Sequence, residues 1–114
     1  MTDSILEGIK TSLGIPRDHL EFDGEVLLHL NSALSLLAHI GVGPTNGVYV
    51  TGYDETWDEL MGGDHRLGMA RSYIAQKVKL AFDPPEIGFV LTSIKETLSE
   101  YEWRLNIIAD EETP

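Results

Sequence analysis

The sequence predicts an all-α, four-helix bundle-like domain, and three features carry that expectation. Apolar residues recur at three- and four-residue intervals along four stretches of the chain. Ser4, Asp23, Thr56 and Asp83 stand where helix N-caps belong, three of them with a glutamate three positions on. Gly14, Gly41 and the Pro84-Pro85 pair punctuate the ends. At 114 residues and 12.6 kDa, residues 1–114 form a single domain with room for one modest core.

The first helix is expected over about 4–13, opened by the Ser4/Glu7 capping box and lined on one face by Ile5, Ile9 and Leu13. Gly14 and Pro16 stop it. The second runs over about 24–40, with Asp23 as its N-cap and Gly41 at its end. Val26, Leu27, Leu28, Leu30, Leu34, Leu36, Leu37 and Ile40 cover more than half its circumference. A helix this apolar is central in the bundle or covered by a neighbouring subunit on the side its own chain leaves bare.

Residues 41–64 form a long connection holding six of the eleven glycines. Val48, Tyr49, Val50 and Thr51 are β-prone residues between Asn46-Gly47 and Gly52, which predicts a short strand or hairpin arm. Thr56 and Glu59 have capping-box spacing around Trp57, enough for one helical turn. A connection of this length is disordered or functional. Two tyrosines and a tryptophan argue against pure disorder.

The third helix is expected over about 65–82, beginning near Asp64, with Leu67, Ala70, Ile74, Val78, Ala81 and Phe82 as its inner stripe. Met69, Tyr73 and Leu80 make a second arc away from that stripe. Asp83-Pro84-Pro85-Glu86 then stops the chain and restarts it, Asp83 as cap and Pro84 at the first helical position. The fourth helix is expected over about 85–107, and the acidic tail 108–114 reads as loose in isolation.

That fourth helix carries apolar residues on two opposite faces. At about 100° per residue, Ile87, Val90, Leu91, Ile94, Leu98, Tyr101 and Leu105 form a core-facing stripe. Trp103 and Ile107 fall roughly 160–200° away and, four residues apart, sit side by side on the outer face. The alternative is that the first helix covers them and that Tyr49, Tyr53 and Trp57 fold back on the bundle. Their coming together with the over-apolar second helix favours a surface made for a partner. The interface candidates are therefore Val48, Tyr49, Val50, Tyr53, Trp57, Met69, Tyr73, Leu80, Trp103, Ile107 and Ile108.

Charge is distributed unevenly. The net value is −11, made of −9 over residues 1–65, +4 over 66–82 and −6 over 83–114. An acidic surface of this kind repels phosphates, which argues against ordinary nucleic-acid binding. Arg66, Arg71, Lys77 and Lys79 are expected to pair with acids of the same or a neighbouring subunit. No apolar run is long enough for a bilayer, and MTDSILEGIK lacks the pattern of a signal peptide. Without cysteine there is no disulfide framework and no thiol chemistry, so the chain reads as made and used in a cytoplasm.

Nothing in the sequence anchors an enzyme. His19, His29, His39 and His65 form no Glu-x-x-His pair of the kind a bundle metal site needs, and Glu25/His29 reads as a surface contact. Gly41-Val42-Gly43-Pro44 follows a helix rather than a strand, which makes it a helix exit and not a nucleotide turn. No serine has a nucleophile-elbow context, and with 19 acids no carboxylate pair stands out. No cofactor and no metal are expected.

Several short stretches together carry a family resemblance. They are Leu13-Gly14-Ile15, Phe22-Asp23, His29-Leu30-Asn31-Ser32, Ile40-Gly41-Val42-Gly43-Pro44, Thr56-Trp57, Lys77-Val78-Lys79-Leu80, Phe82-Asp83-Pro84-Pro85 and Glu102-Trp103-Arg104-Leu105-Asn106. In this order and spacing, over residues 13–106, the chain resembles the small head–tail connector, or adaptor, proteins of long-tailed bacteriophages. The resemblance implies a structural virion protein of the neck, assembled in the host cytoplasm, whose copies form a dodecameric ring beneath the portal. Such a ring extends the DNA channel, lets DNA pass without specific binding, and offers a platform to a stopper or tail-completion protein. It implies no membrane contact and no catalysis. Residues 43–63 and 103–114 are then the parts expected to order on assembly. The other reading the residues leave open is a small acidic regulatory or inhibitory protein that binds a basic partner.

Overall fold

The computed structural model describes residues 4–44, 47–62 and 68–111. It is all-α: α1 (Ile5–Ser12), α2 (Asp23–His39), α3 (Trp57–Met61), α4 (Gly68–Phe82) and α5 (Gly88–Glu111). The expected helix start near Asp64, and with it His65, Arg66 and Leu67, lies outside the described residues, as do residues 112–114 of the tail. The fold is a slab of 44 × 37 × 21 Å, about two helix diameters thick.

Local sequence sets the helix ends. The Ser4 hydroxyl accepts the Glu7 amide at 3.2 Å, and the Thr56 hydroxyl accepts the Glu59 amide at 3.3 Å. Gly14 and Gly41 take positive φ of 76° and 94°. Each is followed by a residue whose amide reaches back five positions, Ile15 to the Lys10 carbonyl and Val42 to the Leu37 carbonyl, both at 2.9 Å. These are two Schellman caps, which need the left-handed glycine.

Three boundaries differ from expectation. Asp23 is the first residue of α2 rather than its cap, and Phe22 at the cap position gives no side-chain bond. The Asp23 carboxylate is engaged by Lys10 and Tyr53 instead. The last helix begins at Gly88 and not near residue 85: Pro84 precedes a second proline, which disfavours the helical conformation there, so the Ile87 carbonyl accepts the first helical amides, Val90 and Leu91. It also continues to Glu111, because Ile107, Ile108 and Ala109 bring no breaker. Residues 108–111 of the expected loose tail are therefore helical.

The apolar second helix is not the centre of the fold. That place belongs to α4, which packs against α1, α2, α3 and α5. Its second arc is consequently covered: Tyr73 is fully buried alongside Ala70, Ile74 and Val78, while Ala81 of the expected inner stripe is exposed. Leu30, Ala33, Leu34 and Leu37 of α2 complete the core with Ile5, Leu6 and Ile9 of α1. The expected β arm forms no strand among the described residues. Val50 instead gives its amide to the Asn31 Oδ1 at 2.8 Å and takes the Asn31 Nδ2 on its carbonyl at 2.9 Å. A side-chain amide thus does what a neighbouring strand would do.

Candidate assembly surfaces

The connections around α1 are fixed by a buried ammonium. Lys10 is fully buried, and its Nζ lies 2.7 Å from the Asp23 Oδ1, 2.7 Å from the Tyr53 hydroxyl, 2.8 Å from the His19 carbonyl and 3.0 Å from the Arg17 carbonyl. Burial alone would lower its pKa, but the hydrogen bonds and charge of Asp23 and Tyr53 outweigh it and hold the ammonium above its ordinary value. The Arg17 guanidinium stacks on the Tyr53 ring at 4.3 Å.

Further along the loop, Glu55 accepts the Thr51 hydroxyl at 2.9 Å, and its own carbonyl takes the Ile5 amide at 3.0 Å. Burial pushes the Glu55 carboxyl up, yet the Thr51 hydroxyl and nearby backbone amides outweigh it and leave the carboxyl below its usual range. Residues 47–62 are therefore held by their own subunit. Trp57 is buried against Gly8, where a Cβ would come within 3.0 Å of the indole nitrogen, and Arg71 lies over its ring at 4.9 Å.

On the other side, α5 packs on α4 through Leu98 and Leu105. The Tyr73 hydroxyl donates to Glu102 at 2.7 Å, and Lys77 approaches the same carboxylate at 3.9 Å. Burial and the adjacent Glu102 carboxylate both push the Tyr73 pKa upward. The Asn106 amide reaches the Ile40 carbonyl at 3.0 Å, so α5 also closes the end of α2. Two of the basic residues thus find partners inside the chain: Lys77 pairs with Glu102 and Arg71 stacks on Trp57.

Against this frame the interface candidates separate. Val50, Trp57 and Tyr73 belong to the subunit's own core, which corrects their placement on a partner surface. Val48, Tyr53, Met69, Leu80 and Ile108 are half-buried and packed against the core. Tyr49 is 71% exposed, Trp103 64% and Ile107 39%. Sequence reasoning missed Phe89, 76% exposed, and placed Ile87 in the core stripe although it is exposed. The signal for Phe89 was available, because it precedes Ile107 by 18 residues, about five whole turns, and so shares the outer face. Leu28, 65% exposed, and Leu36 leave the bare side of α2 apolar. Leu20 and Phe22 are also exposed, with Phe22 set edge-on to Phe82 at 5.6 Å.

Among the described residues no three His, Cys, Asp or Glu side chains gather as a metal site, and no helix is long and apolar enough to cross a membrane. The family model described as phage connector protein matches residues 5–112, a span that takes in all five helices. The chain belongs to the phage connector family. No curated protein and no solved structure matches it. The family's role is that of a structural phage connector.

Proposed function

We propose that this connector is an adaptor subunit of the phage neck. Copies form a dodecameric ring that docks beneath the portal, extends the DNA channel and offers a platform to the stopper or tail-completion protein. The observation that carries the reading is the set of large apolar side chains that α2 and α5 leave exposed in a family of phage connectors. Exposed groups of this kind gain by burial against another subunit, at about 25 cal/mol per Å² of apolar area removed from water. Tyr49, Trp103 and Ile107 are the interface residues kept from the sequence, and Leu28, Leu36, Ile87 and Phe89 join them. The charge of −11 supports a channel wall along which DNA slides without sticking.

The test is the mass of the protein in solution, alone and mixed with a portal ring. A chain that is small or weakly associated alone and forms a large ring on the portal supports the reading. A monomer or dimer indifferent to the portal sinks it, and leaves the acidic regulatory protein as the alternative.

A further inference from the structure

The bare side of α2 holds a groove of about 550 Å³ with no charged side chain in its lining. Leu28, Ser32 and Ser35 of α2 face Tyr49 and Thr51 of the loop across it. In a chain with 19 acidic residues, the lining itself meets another acidic copy with no like charge, and the Glu55 carboxylate beside it is taken up by the Thr51 hydroxyl at 2.9 Å. The groove between α4 and the start of α5, about 580 Å³, differs in carrying Lys79, Asp83 and Glu86. A basic partner would find no carboxylate to pair with in the α2 groove. Its chemistry suits an apolar, uncharged side-chain cluster.

The chain presents such a cluster itself. Trp103 and Ile107 lie one turn apart on the exposed side of α5. Glu100, on the preceding turn, is neutralised by Arg104 through bonds of 3.1 and 2.8 Å. We propose that Trp103 and Ile107 of one subunit dock into the groove between Leu28, Ser35 and Tyr49 of a second copy, an inference that rests on the adaptor reading. The serines leave room for the indole, Leu28 and Tyr49 flank it, and the groove hydroxyls offer acceptors to its N–H. Knob and groove stand on different helices, and in the proposed contact each copy gives its knob to one neighbour and its groove to another, which is a heterologous arrangement. Each copy keeps one of each, and repetition builds a ring, whereas a symmetric contact would stop at a dimer.

The test uses two double variants of the full chain, W103E/I107E without the knob and L28E/S35E without the groove, at exposed positions and checked for fold by circular dichroism. Sedimentation velocity is run on each, alone and on the portal ring, beside the wild type. Each variant is expected to stay monomeric under conditions where the wild type assembles. Their equal mixture is expected to give a species of twice the monomer mass and nothing larger, because one intact knob meets one intact groove. A folded variant that assembles alone as the wild type does, or a mixture that stays monomeric, overturns the pairing while the wild-type ring upholds the adaptor reading. A wild type that assembles neither alone nor on the portal overturns both. As the chain has no cysteine, a second measurement mixes S35C and I107C copies under mild oxidation. They are expected to cross-link to one another, a preference for like pairs overturns the knob-in-groove pairing, and a wild type that stops at a dimer means a reciprocal symmetric contact and overturns the ring.

Discussion

Residues 4–44 with 47–60, and helix α5, are held by different means. In the first region polar groups reach across the sequence: the Lys10 ammonium gathers Arg17, His19, Asp23 and Tyr53, the Asn31 side chain holds Val50, and the Ile5 backbone amide donates to the Glu55 carbonyl. In the second, a 24-residue helix rests on α4 through Leu98, Leu105 and the Tyr73–Glu102 bond, and is tied to α2 by Asn106. Directional bonds fix a loop in one conformation because each unmade bond inside the protein is expensive. A one-sided apolar seam leaves the other side of its helix free. The connector thus pairs a rigid body with a helix that can afford a second contact.

The contrast breaks first at Lys10. Replacing it by Met leaves Asp23, Tyr53 and two carbonyls without their cation, and is expected to remove about 3 kcal/mol of stability in denaturant unfolding. That is the lower end for a broken buried pair, because Asp23 keeps 21% of its side chain exposed. The pH dependence has a definite sign. With the folded-state pKa of Lys10 raised above 10.5, its contribution is complete below that pH and is lost as pH rises through the folded-state value. The gap between wild type and variant should therefore narrow only in strong alkali.

Leu105→Ala probes the other region and is expected to remove about 2–3 kcal/mol, the low end for a core leucine, because α5 is free to shift on its open side. Native-state hydrogen exchange should show α5 amides losing protection while those of α2 and α4 keep theirs. Equal loss in α2 would mean that the two regions unfold as one unit. The smallest effect is expected from Asn31→Ala, about 1–2 kcal/mol for two bonds to a buried backbone. Limited proteolysis should then cut the chain near residues 48–53 sooner than in the wild type, and unchanged cutting would show that the Lys10 and Glu55 ties suffice.

What the sequence disclosed was local. Ser4, Gly14, Gly41 and Thr56 announce their helix ends because a cap is a matter of three to five consecutive residues. The outward Trp103 was legible for the same reason, since helical spacing separates it from the stripe that ends in Leu105. The centrality of α4 was hidden because Tyr73 is satisfied by Glu102, 29 residues away. Asn31 left no trace, as a side chain standing in for a strand has no period. Nothing local marks Lys10 for burial, because its partners lie 7 to 43 residues further along the chain. Val50 and Trp57 looked like partner-facing groups because aromatic and β-branched residues have the same character in a loop whether they turn inward or outward.

The burial of Lys10 has a consequence for chemical labelling. The described chain has three other lysines, of which Lys79 and Lys95 are exposed and Lys77 is half-buried. An amine-selective acylating reagent reaches those sites directly, whereas the Lys10 amine reacts only when the subunit opens around it. Modification at that one position is therefore a clock for opening events, and any preparation that carries it has at some time exposed the Lys10 amine.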